Sequence, residues 1–178
     1  MAKKKKKNGK RLKIALIGYG AISQMLFDVF KEKKPPIDIV GVLVRPGRAK
    51  DTQKKLGRKV AVVEDLKALL KLKPDVVVEA ASQQAVRDWG ETILKKGFDL
   101  MVIATGAYGD PKLWKKHKAA AAKSGARLRL PSGAIAGLDG LLAMRLGTLE
   151  RVKYTSIKPP HDWTGTPAET DIDLTSIK

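Results

Sequence analysis

One stretch constrains this chain more than any other: residues 13–30, KIALIGYGAISQMLFDVF. A short apolar run, Ile14 to Ile17, passes directly into Gly18-Tyr19-Gly20-Ala21-Ile22-Ser23. The residues that follow put Ile22, Met25, Leu26, Val29 and Phe30 on one face of a helix. Strand, glycine turn and helix is the layout of a dinucleotide-binding fingerprint. Gly18 suits the tight turn, and Gly20 lets the backbone approach a pyrophosphate with no side chain between. The helix behind them, from Ala21 and Ile22 onward, turns unpaired N–H groups and the positive end of its dipole towards phosphates. The third glycine of the G-x-G-x-x-G pattern is replaced by Ser23, which puts close packing of helix on strand in question. The competing reading is an ordinary strand-to-helix turn with no ligand. The motif's place after the first apolar strand favours the ligand.

The rest of the chain repeats the alternation. Strands are expected at 12–17, 37–44, 60–63, 75–79, 98–104 and 127–130, with helices at 21–33, 49–57, 65–72, 83–96 and 110–124 between them. Pro35-Pro36 ends the first helix. Gly97 and Gly125 close two later ones, and Pro111 sits in the first turn of the last. This order predicts an α/β fold with a Rossmann-type doubly wound parallel sheet over residues 12–130. Beyond Leu130 come a small-residue segment, an apolar helix ending near Gly147, a strand from Leu149 to Ile157 and an irregular tail. Residues 131–178 are expected to be the start of a second α/β domain, incomplete within this chain.

Composition removes several classes of function. There are no cysteines, so disulfide scaffolds and cysteine-based nucleophiles or zinc sites are excluded, and with only two histidines, His117 and His161, a histidine-rich metal site is not expected. No apolar run approaches the ~18 residues of a membrane span, and the basic start lacks the apolar segment of a signal peptide. A cytoplasmic protein with no membrane partner is expected. The formal charge is +18, and residues 1–11 hold seven of the 36 basic residues and no acid. A lysine arm can attract nucleic acid. The body shows no usual nucleic-acid module, so residues 1–11 are read as a solvated, disordered basic tail and the expected partner is a small molecule.

Candidate site residues follow from the ends of the strands. An acid usually stands after the second strand, where it binds the adenosine ribose. Here the place holds Arg45, with Arg48 three residues on. A guanidinium suits a 2′-phosphate, so the cofactor expected is NADP or NAD, with a lean to NADP unless the two arginines are merely solvated. Ala81 and Ser82, after the fourth strand, are small enough for a cofactor ribose to approach, and Ser82 also suits the cap of the next helix. Ala104-Thr105-Gly106-Ala107 is a similar small-residue lip. No convincing general base is found. His161 is read as a surface residue and His117, in a lysine-rich helix, as solvated. Lys158 is a weak candidate for contact with an anionic substrate.

Four blocks, IALIGYGAI, VVVEAASQQAV, LPSGAIAGLDGL and YTSIKPP-x-x-W-x-GTPAET, together resemble the L-aspartate dehydrogenase family, from about Leu12 to the C-terminus. The resemblance implies a Rossmann domain followed by a catalytic domain that forms a homodimer. It also implies NAD(P)-dependent oxidative deamination of L-aspartate to iminoaspartate, which hydrolyses to oxaloacetate and ammonia or feeds NAD biosynthesis. By position, Gly18, Gly20, Ala21 and Ile22 correspond to the pyrophosphate site, Ala81 and Ser82 to the nicotinamide-side ribose, and Ala134 to a further cofactor contact. Family members run well past residue 178, and their catalytic histidine has no counterpart here. The chain is therefore expected to bind cofactor while turning over poorly. Competing expectations are a homoserine- or dihydrodipicolinate-type oxidoreductase and a non-catalytic NAD(P)-binding protein.

Overall fold

The first strand decides the architecture because both of its faces are apolar. In the computed structural model, which describes residues 11–133, 137–155, 157, 159–164 and 168–176, β1 spans Leu12–Ile17. Its side chains alternate between two cores, as the two-residue period of a strand requires. Ala15 and Ile17 enter one cluster, with Leu43, Val77, Leu100 and Val102. Ile14 and Leu16 enter the other, with Val42 and Val44. A strand buried on both faces belongs in a parallel sheet covered by helices on each side.

The sheet has six strands in the order β3-β2-β1-β4-β5-β6, and every described pairing is parallel. The remaining strands are β2 (Ile37–Leu43), β3 (Ala61–Val63), β4 (Val76–Glu79), β5 (Asp99–Val102) and β6 (Leu128–Arg129). Helix α1 (Ala21–Lys33) covers one face, and α2 (Ala49–Leu56) supplies Leu56 to the same cluster. Helices α3 (Leu66–Lys71), α4 (Gln83–Lys95) and α5 (Pro111–Ser124) cover the other face. Strand order reverses at β1, so the chain runs outward to β3 and then crosses to β4. The gap between the C-terminal ends of β1 and β4 is where ligands bind in such sheets.

Local signals set the helix ends. The Asp65, Ser82 and Asp110 side chains accept from backbone N–H groups at the starts of α3, α4 and α5. Gly125 leaves α5 in the left-handed region, at φ 76°, where glycine meets no Cβ penalty.

Three expectations need correction. The apolar face expected of α1 is divided: Leu26 and Phe30 pack on the sheet beside Phe27, whereas Ile22, Met25 and Val29 are exposed. The helix is rotated so that Ser23, not Ile22, meets the sheet. Arg11, expected in a disordered tail, is anchored, and the rest of that expected tail, residues 1–10, lies outside the described residues. Its guanidinium donates to Asp38 at 2.8 Å and to the carbonyls of Pro35 and Ile37 at 3.0 and 2.9 Å. The strand expected from Leu149 to Ile157 is not formed over its described residues. No described neighbour pairs with that backbone, and an unpaired extended segment gains no ladder hydrogen bonds.

The chain divides into two compact units, Met1–Gly133 and Ala134–Lys178. Within the second, the described elements are α6 (Leu138–Met144), a 3-10 turn (Pro160–Trp163) and α7 (Ala168–Asp171). No described helix is long and apolar enough to cross a membrane.

Candidate functional site

The fingerprint turn gets its shape from close packing. Gly18 has φ 94°, and a Cβ there would lie 2.8 Å from Ala81 Cβ and 2.9 Å from the Ala80 carbonyl oxygen. Glycine is thus required where the end of β1 meets the β4–α4 loop. Gly20 differs: a Cβ there would meet nothing within 4 Å. It is the N-cap of α1, and no side chain among the described residues caps that helix. First-turn N–H groups of a 13-residue helix are therefore left to solvent or to an anion.

Ser23 makes the degenerate fingerprint work. It is buried, and its hydroxyl donates to the Gly18 carbonyl at 2.9 Å. The side chain that replaces the third glycine thus braces the turn while remaining small enough for α1 to sit on the sheet.

The turn opens into a cleft of about 680 Å³ at the carboxyl ends of β1, β2 and β4. Its floor includes Gly18, Gly20, Ala80, Ala81 and Ser82, and Arg45 and Arg48 line the side beyond β2. Neither guanidinium has an ion-pair partner among the described residues. Ala21 and Ile22 begin α1 beside the cleft without lining it. Ala134 and Lys158 lie outside the described residues, and His161 is exposed in its 3-10 turn. Among the described residues no cluster of histidine and carboxylate side chains could hold a metal ion.

Beneath the cleft lies a carboxylate that the sequence reading passed over. Glu79, the last residue of β4, is 1% exposed. Its Oε1 accepts from the N–H groups of Ala81 at 2.7 Å and Ser82 at 2.9 Å. Its Oε2 accepts from the Ala104 N–H at 3.0 Å. Three backbone donors make burial of the charge tolerable. The cleft walls contain further residues missed from the sequence: Thr52 and Lys55 on α2, and Gln84, Asp88 and Trp89 on α4. Arg48, Thr52 and Lys55 recur at helical spacing, which is a legible signal for one shared face.

His117 is also misread from the sequence. It is fully buried, on the α5 stripe of Leu113, Ala120 and Ala121, while the lysines of α5 occupy the other faces. Its ring packs where α4 has only Gly90, whose Cβ would lie under 3 Å from the imidazole. The Tyr108 hydroxyl lies 3.0 Å from His117 Nδ1, and Nε2 has no hydrogen-bond partner among the described residues. Burial pushes the His117 pKa down, with Glu91 opposing and Lys116 adding to the shift. Burial, helped by the Glu79 charge, raises Tyr108 to about 12. The pair braces α4 against α5 and is not among the residues lining the cleft.

A family model described as homoserine dehydrogenase, NAD binding domain, matches residues 18–131. L-aspartate dehydrogenases of Brucella anthropi and Ruegeria pomeroyi are each 37% identical to the chain, over 92% and 95% of it and over 60% and 59% of their own lengths. The chain thus spans about three fifths of the relatives it matches. The aspartate dehydrogenase of Thermotoga maritima superposes with a TM-score of 0.59 at 25% identity, covering 75% of this chain and 51% of that one. The WlbA dehydrogenase of Bordetella pertussis, in complex with NADH and UDP-GlcNAcA, shares the fold at 16% identity and a TM-score of 0.61, over 77% of this chain and 43% of its own. A glycine turn at the switch point of a 3-2-1-4-5-6 sheet, matched by that family model over 18–131, means that the chain belongs to the family of the homoserine dehydrogenase NAD-binding domain, with sequence similarity to L-aspartate dehydrogenases.

Proposed function

We propose that this chain is the cofactor-binding part of an NAD(P)-dependent L-aspartate dehydrogenase, the enzyme that oxidatively deaminates L-aspartate to iminoaspartate. The observation that carries the reading is the open cleft at Gly20, beneath an uncapped α1 and continuous with Arg45 and Arg48. Those features suit a pyrophosphate and an adenosine half bearing a 2′-phosphate. In this reading Gly18 and Gly20 keep side chains out of the phosphate path, with the start of α1 at Ala21 and Ile22 turned towards the charge. Arg45 and Arg48 take the adenosine ribose phosphate, which favours NADP over NAD. Ala81 and Ser82 leave room for the nicotinamide-side ribose, and Ala134 is assigned a further cofactor contact from the family resemblance.

The nicotinamide ring supplies the hydride acceptor when the cofactor is bound. This chain's residues bind and orient; none of the described side chains in the cleft is assigned as the proton acceptor. We assign residues 12–130 to the cofactor domain and 131–178 to the opening of the catalytic domain. The whole enzyme is proposed to be a cytoplasmic homodimer that serves NAD biosynthesis. The 178-residue chain is proposed to bind the cofactor. The family model's own description keeps homoserine as the competing substrate.

The test is titration of the chain with NADPH and NADH, read by nicotinamide fluorescence, with tripolyphosphate as an anion control. Saturable binding that tripolyphosphate does not mimic, tighter for NADPH, is the expected result. Failure of both cofactors to bind a chain that circular dichroism shows to be folded refutes the reading. A panel of aspartate and homoserine, assayed on the chain itself with the bound cofactor, then separates the two substrates.

A further inference from the structure

The buried carboxylate of Glu79 sits under the cleft without lining it. Its two oxygens do different work. Oε1 closes the β4–α4 loop on itself by taking the N–H groups of Ala81 and Ser82. Oε2 reaches the next crossover and takes the N–H of Ala104. Ala104 is the centre of a tight turn, at φ −75° and ψ 57°, in which the Thr105 N–H donates to the Ile103 carbonyl at 2.7 Å. These angles define an inverse γ-turn. The same loop meets the fingerprint, since Ala80 and Ala81 stand against Gly18. One side chain thus joins the glycine turn's neighbour to the lip after β5.

The other end of the cleft is independent of it. Arg45, Arg48, Thr52 and Lys55 belong to the β2–α2 segment. That segment is fixed by different bonds: Glu64 Oε1 accepts from the Ala49 N–H at 2.9 Å, and the Val44 N–H donates to the Val63 carbonyl. None of the described hydrogen bonds of the Glu79 carboxylate reaches it.

We propose that Glu79 is a positioning residue that sets the spacing of the β4–α4 and β5 loops, and thereby the fit of the nicotinamide half of the cofactor, without acting on the adenosine half. The inference rests on the dinucleotide reading above. It predicts an uneven loss. In Glu79→Gln the amide presents one acceptor and one donor. With its oxygen towards Ala81 and Ser82, its NH2 group faces the Ala104 N–H, and two donors repel. The two loops then separate, while the arginine end is untouched.

The experiment compares two probes on the full 178-residue chain: NADPH, and adenosine 2′,5′-bisphosphate, which has no nicotinamide half. Glu79→Gln is expected to weaken NADPH about tenfold, the weight of one charge-assisted hydrogen bond, and to leave the bisphosphate within about twofold. A parallel loss of both probes, or no loss of NADPH, overturns the proposal. Ala104→Pro is the second variant, and it decides the matter if Glu79→Gln does not fold. It deletes the single N–H that Oε2 takes at a φ that proline adopts, and the same split is expected. Absence of NADPH binding by the unsubstituted chain instead refutes the dinucleotide reading. NADPH binding that survives in both variants refutes only the role of Glu79.

Discussion

At the scale of single residues, the fingerprint works through different reasons at each position. Gly18 is needed because a neighbouring loop occupies the space of a Cβ, and its φ of 94° is one that L side chains avoid. Gly20 faces open space, so its lack of a side chain serves whatever enters the cleft. Ser23 replaces a glycine and repays the exchange with a hydrogen bond to the turn it packs under. Arg45 is exposed and has no ion-pair partner among the described residues, so its charge is available to a ligand at little cost to the fold. Arg45→Ala is expected to weaken NADPH about tenfold and NADH by less than about twofold. Parallel titrations of the two cofactors check it, and equal losses would remove Arg45 from the 2′-phosphate site.

The element scale is where α4 and α5 meet. Gly90 is a glycine inside a helix, a choice that disfavours the isolated element, and here it makes room for the His117 ring. Gly90→Ala forces a methyl group into a site already filled by a buried imidazole. It is expected to destabilise the chain by about 1–3 kcal/mol, the usual cost of overpacking, as read from urea midpoints at constant m. The same contact predicts a pH dependence. Burial holds His117 below its ordinary pKa, with Tyr108 at its Nδ1 and Glu91 and Lys116 as the charged groups acting on it. Below a pH of about 6.5, unfolded histidine takes up protons that the folded ring resists. The contribution is therefore intact above that pH, shrinks as pH falls towards the folded pKa and is lost below it. Urea midpoints at pH 5.5 and 7.5 should differ, and His117→Gln should reduce the difference. An unchanged difference would mean that other groups carry the effect.

For the whole molecule, the fold and the charge are separate matters. The sheet, both cores and the cleft lie within residues 11–133. Residues 1–10 carry six of the lysines and lie outside the described residues, and Arg11 is held by Asp38, Pro35 and Ile37. Deleting residues 1–10 is expected to weaken adhesion to duplex DNA and to flatten its dependence on salt. The affinity for NADPH at moderate salt should stay within about twofold. Paired titrations with DNA and NADPH at two ionic strengths test this. A loss of NADPH affinity on deletion would make the arm part of the cofactor site.

The amino-acid sequence by itself determined the order of elements in the first unit. Alternating apolar runs, Asp65, Ser82 and Asp110 at helix starts, and Gly125 at a helix end are local signals, and they act through bonds only a few residues long. It also placed Gly18, Gly20, Arg45, Ala81 and Ser82 at strand ends, which the fold gathers around one cleft. Only the tertiary structure decided which way each helix faces. The α1 pattern is apolar on more than one side, so its periodicity could not choose Ser23 over Ile22 for the sheet. His117 looked solvated among lysines, and its burial depends on a glycine 27 positions earlier in a different helix. Glu79 looked like the end of a strand. Its three donors come from its own loop and from the crossover after β5, 25 residues on. Such roles are set by which surfaces meet in three dimensions, and the spacing of residues along one element carries no information about the partner.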